Sequence, residues 1–110
     1  MIKTRIDIMK ISRIKEKIND QIFLSRTFND KELKNSIDSL AGIFALKEAF
    51  FKATQIKIKK WNELVVKKQK NGKPYIVFDK NLIDFKIKSI DCSIAHDSEY
   101  AIANVVINEI

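Results

Sequence analysis

The chain has 110 residues, a length that fits one compact domain built on a single hydrophobic core. Its 45% hydrophobic content argues against disorder, no apolar run approaches the ~20 residues of a membrane span, and Cys92 is the only cysteine, which excludes an internal disulfide. The formal net charge of +7 points to an anionic partner, and nucleic acid, an acidic protein and a polyphosphate ligand all remain open.

The N-terminus alternates apolar and charged residues without a signal-peptide core, so the cytoplasm is the expected compartment. Residues 2–9 read as a strand, with Ile2, Thr4, Ile6 and Ile8 on one face and Lys3, Arg5, Asp7 and Met9 on the other. From Ile11 to Phe28 the spacing of Ile11, Ile14, Ile18, Ile22 and Phe23 turns helical, with Ser12 as a candidate cap. Asn29-Asp30 is placed to cap a short helix containing Glu32 and Leu33. The apolar run that starts at Leu40 predicts a helix to about Thr54. Beyond it, residues 63–68 and Tyr75–Phe78 read as strands joined around Asn71-Gly72, a strong hairpin signal. Phe85–Lys88 and Ile90, Cys92 and Ile94 alternate, and Tyr100–Ile107 predicts a buried strand. A strand, then helices, then several strands is the order of a single α+β domain over residues 1–110. Its mostly antiparallel sheet would pack with one long central helix and shorter ones.

Within that helix Glu48 stands one turn after Phe44 and about one turn before Phe51, on a face that also carries Leu40. A carboxylate on an apolar face must be paired, protonated or bound to a cation. One reading is an i,i+4 ion pair with Lys52. The other joins Glu48 with Asp7, itself disfavoured in mid-strand, as a site for a hard cation. Asp7 can equally be a solvent-facing charge. His96, the only histidine, follows a predicted strand, where it is either an ordinary surface histidine or a phosphate contact or proton carrier. Cys92 alternates with Ile90 and Ile94 and reads as a core residue. Ser93, His96 and Asp97 lie too close together on one strand end to form a hydrolase triad. Trp61, Tyr75 and Tyr100 form no aromatic platform interleaved with lysine, so nothing beyond charge supports a nucleic-acid interface.

Taken together these segments resemble the holo-acyl-carrier-protein synthase family, the small phosphopantetheinyl transferases. Ile6-Asp7-Ile8 is similar to the family's Gly-hydrophobic-Asp-Ile strand, and Arg13-Ile14 follows at the family's distance. Phe23, Arg26-Thr27-Phe28 and Glu32-Leu33 resemble its Phe…Arg-hydrophobic-Thr…Glu-Leu segment, with Thr27 and Phe28 offset. Residues 40–53, Leu-Ala-Gly-Ile-Phe-Ala-Leu-Lys-Glu-Ala-Phe-Phe-Lys-Ala, match its signature helix, Leu-Ala-Gly-Arg-Phe-Ala-Ala-Lys-Glu-Ala-x-x-Lys-Ala. Asn71-Gly72-Lys73-Pro74 matches its Gly-Lys-Pro hairpin. Ser93-Ile94-Ala95-His96 and Glu99-Tyr100-Ala101 resemble its last strands. The likeness runs in order along nearly the whole chain.

The resemblance implies an enzyme that moves 4′-phosphopantetheine from its substrate coenzyme A to a serine of apo acyl carrier protein. It implies that Asp7 and Glu48 hold Mg2+ against the coenzyme A pyrophosphate. The serine, deprotonated by Glu48 or by water on the metal, would attack the β-phosphate, while Lys52 and the metal stabilise the departing phosphate. Lys47, Lys73 and His96 are implied phosphate or adenosine contacts. Lys10, Arg13, Lys17 and Arg26 would meet the acidic helix of the carrier, raising the on-rate more than the affinity. A homotrimer with the active site between neighbouring subunits is also implied. Three departures stand out: Arg5 where the family has glycine, Ile43 in place of the signature arginine, and Thr54–Lys60 in place of a glycine-containing loop. Lysines of that loop are candidates to restore the charge lost at Ile43. Arg5 and Ile43 are the main support for the alternative, a non-catalytic homologue that binds coenzyme A or a carrier protein.

Overall fold

A computed structural model describes all residues, 1–110. Strand β1 (Ile2–Lys10) leads into two short helices, α1 (Ile11–Glu16) and α2 (Gln21–Thr27), and then the long α3 (Ile37–Thr54). Strands β2 (Val65–Lys68) and β3 (Pro74–Val77) form a hairpin, and β4 (Ile87–Asp97) and β5 (Tyr100–Glu109) a longer one. The main sheet has the order β1-β5-β4 and every strand pair is antiparallel, as expected for the α+β class. No helix is long and apolar enough to cross a membrane.

Local chemistry explains the boundaries. The single helix expected over residues 11–28 is two helices, because the Asp20 carboxylate accepts from the Phe23 amide at 3.0 Å and starts α2 anew. Ser12 caps nothing; α1 has no side-chain cap. Asn29 and Glu32 cap each other reciprocally, amide to side-chain oxygen at 2.7 and 3.0 Å. Ser36 caps α3 by accepting from the Ser39 amide at 3.2 Å, and the helix ends where Gln55 adopts φ 53°. This left-handed conformation, which glycine adopts freely, costs Gln55 about 1–2 kcal/mol. The β2–β3 turn does use glycine: Gly72 has φ 87°.

Helix α3 is buried almost all round, which marks it as the centre of the fold. One side lies on the sheet against Ala101, Ala103, Val105 and Ile107 of β5, all essentially inaccessible. The other side is covered by α1 and by core residues Leu24, Phe28, Leu64 and Val66. The alternation of β1 leaves open which of its two faces is buried, and this packing decides it. Asp7 and Met9 turn toward α3, whereas Ile6 and Ile8 are 62% and 60% exposed on the open face of the sheet. The two alternating stretches after Phe85 merge into one strand, β4, with an irregularity between Ile87 and Ser89.

Candidate active site

Two carboxylates from distant parts of the chain meet at one ammonium. Asp7 lies on β1 opposite buried Ala103, so its side chain points toward α3 and is only 16% exposed. Lys52 in the last turn of α3 donates to Asp7 Oδ1 at 3.0 Å and lies 3.8 Å from Glu48 Oε2, one turn earlier. The intrahelical pair with Glu48 is therefore present, but it is the looser of the two contacts. The hydrogen bond to Asp7, and then its charge, hold the Lys52 pKa above the usual lysine value, while Arg5 nearby opposes them. Lys52 stays an ammonium through neutral pH.

Glu48 is 30% exposed, beside a cluster in which Trp61 packs on Phe44 and Phe51 with ring centroids 6.1 and 5.4 Å apart. No third His, Cys, Asp or Glu side chain joins the two carboxylates. A pair of hard oxygen donors with an open side, already holding a cationic ammonium, is the donor set that suits Mg2+. That ion takes one or two protein carboxylates and fills its octahedron with water and substrate oxygens.

Lys47 is not at this site. It is completely buried, donating to Glu32 Oε1 at 2.6 Å and to the Thr27 carbonyl at 2.8 Å, and its ammonium lies over the Phe28 ring. The expected phosphate contact is replaced by a structural one. Neighbouring residues on a helix point about 100° apart, so when Glu48 faces solvent Lys47 is driven into the core. Burial lowers the Lys47 pKa and the hydrogen bond and charge of Glu32 oppose the shift. Glu32 in turn accepts from the Val66 amide at 2.7 Å, so one pair joins α2, α3 and the β2–β3 hairpin.

A second cleft, of about 100 Å3, opens near the N-terminal end of α3 between Ser39, Ile43, Lys68, Gly72, Pro74, Ile94 and His96. His96 is in β4 rather than in a loop, and its Nε2 donates to the Asp38 carbonyl at 2.9 Å. That close approach requires Gly42: a Cβ there would lie 2.6 Å from Ile94 Cγ2 and 2.9 Å from His96 Nε2. Gly42→Ala must displace the Ile94 and His96 side chains, costing about 1–3 kcal/mol of stability. Chemical denaturation checks the loss, and the His96 ring signals should shift with it.

Lys73 leans away from this cleft to pair with Asp91, and that contact raises its pKa and lowers that of Asp91. The lysine that lines the cleft is Lys68, which sequence reasoning missed. Its signal was the hairpin register, since pairing around Asn71-Gly72 sets Lys68 opposite Pro74. The lysines after α3 do not line the cleft. Lys57 pairs with Asp84 at 3.3 Å, and the Lys59 and Lys60 amides bind the Glu63 carboxylate. Cys92 is a core residue, its thiol pushed up to about 11 chiefly by burial.

Lys10, Arg13, Lys17 and Arg26 are all exposed around α1 and α2, and none makes an ion pair. Ile22 stands among them, 71% exposed. The arrangement is a basic surface with an apolar residue inside it, adjacent to the Phe23–Phe44–Trp61 stack that leads to Glu48.

Comparison with known proteins places the chain in a family. A family model described as the 4'-phosphopantetheinyl transferase superfamily matches residues 6–105. A holo-[acyl-carrier-protein] synthase of Nautilia profundicola is 40% identical over 109 residues, 93% of this chain and 96% of that protein. The synthase of Helicobacter pylori strain ATCC 700392 / 26695 is 38% identical over 112 residues, 94% of each. The crystal structure of a Helicobacter pylori holo-[acyl-carrier-protein] synthase in complex with coenzyme A superposes with a TM-score of 0.83 at 37% identity, over 98% of this chain and 100% of that one. With sequence and fold pointing the same way, the chain belongs to the 4'-phosphopantetheinyl transferase superfamily, alongside the holo-[acyl-carrier-protein] synthases.

Proposed function

We propose that the protein transfers 4′-phosphopantetheine from coenzyme A to a serine hydroxyl of an apo acyl carrier protein. The products are the holo carrier and adenosine 3′,5′-bisphosphate, and the reaction would serve fatty acid synthesis in the cytoplasm. The observation that carries this reading is the meeting of Asp7, Glu48 and Lys52 from two separate elements. Asp7 and Glu48 would hold Mg2+, which when bound supplies charge neutralisation at a pyrophosphate. Glu48, open to solvent, is placed to accept the proton of the incoming serine. Lys52 is held as an ammonium and donates to the phosphate that departs. Asp7 keeps that ammonium aimed between the two acids.

The 3′-phosphate of coenzyme A is assigned to the cleft near the start of α3, with Ile43 about 7.5 Å along the helix axis from Glu48. Its volume suits a phosphate group rather than a whole nucleotide. Lys68 and His96 line that cleft, and Lys73 lies beyond them on the hairpin turn. Lys68→Ala should raise the KM for coenzyme A about tenfold and leave that for 3′-dephospho-coenzyme A unchanged, because one charge-assisted phosphate contact is lost. Equal effects on both substrates would remove Lys68 from the phosphate.

The exposed Ile6 and Ile8 on the open sheet face support self-association, which we assign as a homotrimer. Light scattering of Ile6→Glu should show a smaller species than the parent protein. An unchanged mass would place the interface elsewhere.

Incubation with apo acyl carrier protein, coenzyme A and Mg2+, read by intact mass with an EDTA control, tests the activity. A metal-dependent gain of one phosphopantetheine is expected. Coenzyme A binding without transfer to any of several carriers would instead establish a non-catalytic homologue.

A further inference from the structure

Arg5 replaces the family's glycine two residues before Asp7, on the same strand face, about 6.6–6.8 Å away along β1. Its cross-strand partner Val105 and that of Asp7, Ala103, are both buried under α3, so both side chains issue on the helix side of the sheet. Arg5 itself is exposed, because α3 ends there. It opens into a groove of about 450 Å3 whose cationic walls are Lys3, Arg5 and Lys52 and which no carboxylate lines. Lys3 is engaged, 3.8 Å from Glu109 and over the Phe85 ring. Lys52 is engaged with Asp7. Arg5 makes one hydrogen bond, from Nη1 to the neighbouring Thr4 carbonyl at 3.2 Å, and no ion pair. The rest of its planar fork of N–H donors is unspent, a geometry that matches two oxygens of a phosphate or pyrophosphate.

We propose that Arg5 is a phosphate-binding residue, clamping the pyrophosphate of coenzyme A from the β1 side of the Asp7–Glu48–Lys52 cluster. This rests on coenzyme A as the substrate. A glycine at this position leaves room for a substrate and offers it nothing; an arginine narrows the room and adds a fixed charge. The clamp therefore acts on the diphosphate and is indifferent to the 3′-phosphate at the far end of the nucleotide.

Isothermal titration of coenzyme A and of 3′-dephospho-coenzyme A into Arg5→Gln, Arg5→Lys and Arg5→Gly, with Mg2+ present, tests the clamp. Arg5→Gln should weaken both ligands by about tenfold and by the same factor, as expected for one lost charge-assisted contact. Arg5→Lys should recover part of the loss. Binding as tight as wild type in Arg5→Gln, or tighter in Arg5→Gly, overturns the proposal and makes Arg5 an obstruction. A loss confined to coenzyme A overturns it as well, because the contact would then be to the 3′-phosphate. Wild-type transfer measured in the same buffers separates the two ideas: a protein that binds but does not transfer sinks the proposed activity, while the titrations still decide the clamp. A wild type that does not bind coenzyme A sinks both.

Discussion

Glu48→Gln is expected to reduce phosphopantetheine transfer to background, a fall of about 10²–10³-fold or more, with the folded structure intact. Glutamine keeps the size and the helix propensity of the side chain and removes only its charge. The position is partly open to solvent, no backbone group depends on it, and the shorter Lys52–Asp7 contact survives its loss. Thermal unfolding of the variant should therefore stay within about 0.5 kcal/mol of the parent, as for a surface change away from capped or buried groups. Intact-mass assay of the carrier under saturating coenzyme A and Mg2+ reads the activity. Turnover at the wild-type rate would show that neither cation binding nor proton transfer needs this carboxylate, and the site would have to be sought elsewhere. Asp7→Asn makes the same test from the other element.

The largest stability effect belongs to the residue next to it. Lys47→Met should destabilise the fold by about 3–5 kcal/mol, because it leaves the Glu32 carboxylate buried without its cation. For a domain of this size that is a fall in melting temperature of roughly 12–25 °C. Glu32→Gln should be comparably harmful, since the Asn29 and Val66 amides and the Lys47 ammonium all depend on that carboxylate. The two groups touch, so the double variant should lose less than the sum of the singles. A loss below about 1 kcal/mol for Lys47→Met would mean that the ammonium is solvated in solution and free to turn outward to a ligand, as the resemblance alone suggests.

The contrast between Lys47 and Glu48 shows how far residues can be read in isolation. Both stand in the signature helix, and both are assigned to the substrate on resemblance. Only the direction in which α3 presents each of them separates a solvent-facing acid from a buried base. The same holds on β1. Its alternation correctly marks two faces, yet composition favours burying the isoleucines. In the single chain α3 covers the Asp7 face instead, and Ile6 and Ile8 are left bare. Lys73 looks like the cation of the Gly-Lys-Pro hairpin, but Asp91 on β4 draws it aside and leaves Lys68 at the cleft.

By itself the sequence determined the α+β class, the long helix to Thr54 and the hairpin at Asn71-Gly72. These follow from local period, capping and turn chemistry, all written within a few residues of where they act. Tertiary structure alone decided that Asp7 and Glu48 converge on Lys52, that Lys47 is sealed in the core with Glu32, and that Arg5 opens into a groove free of acids. Each depends on how α3 packs against segments 15 to 45 residues away along the chain. That choice is made by burial summed over the whole core, and no single segment records it.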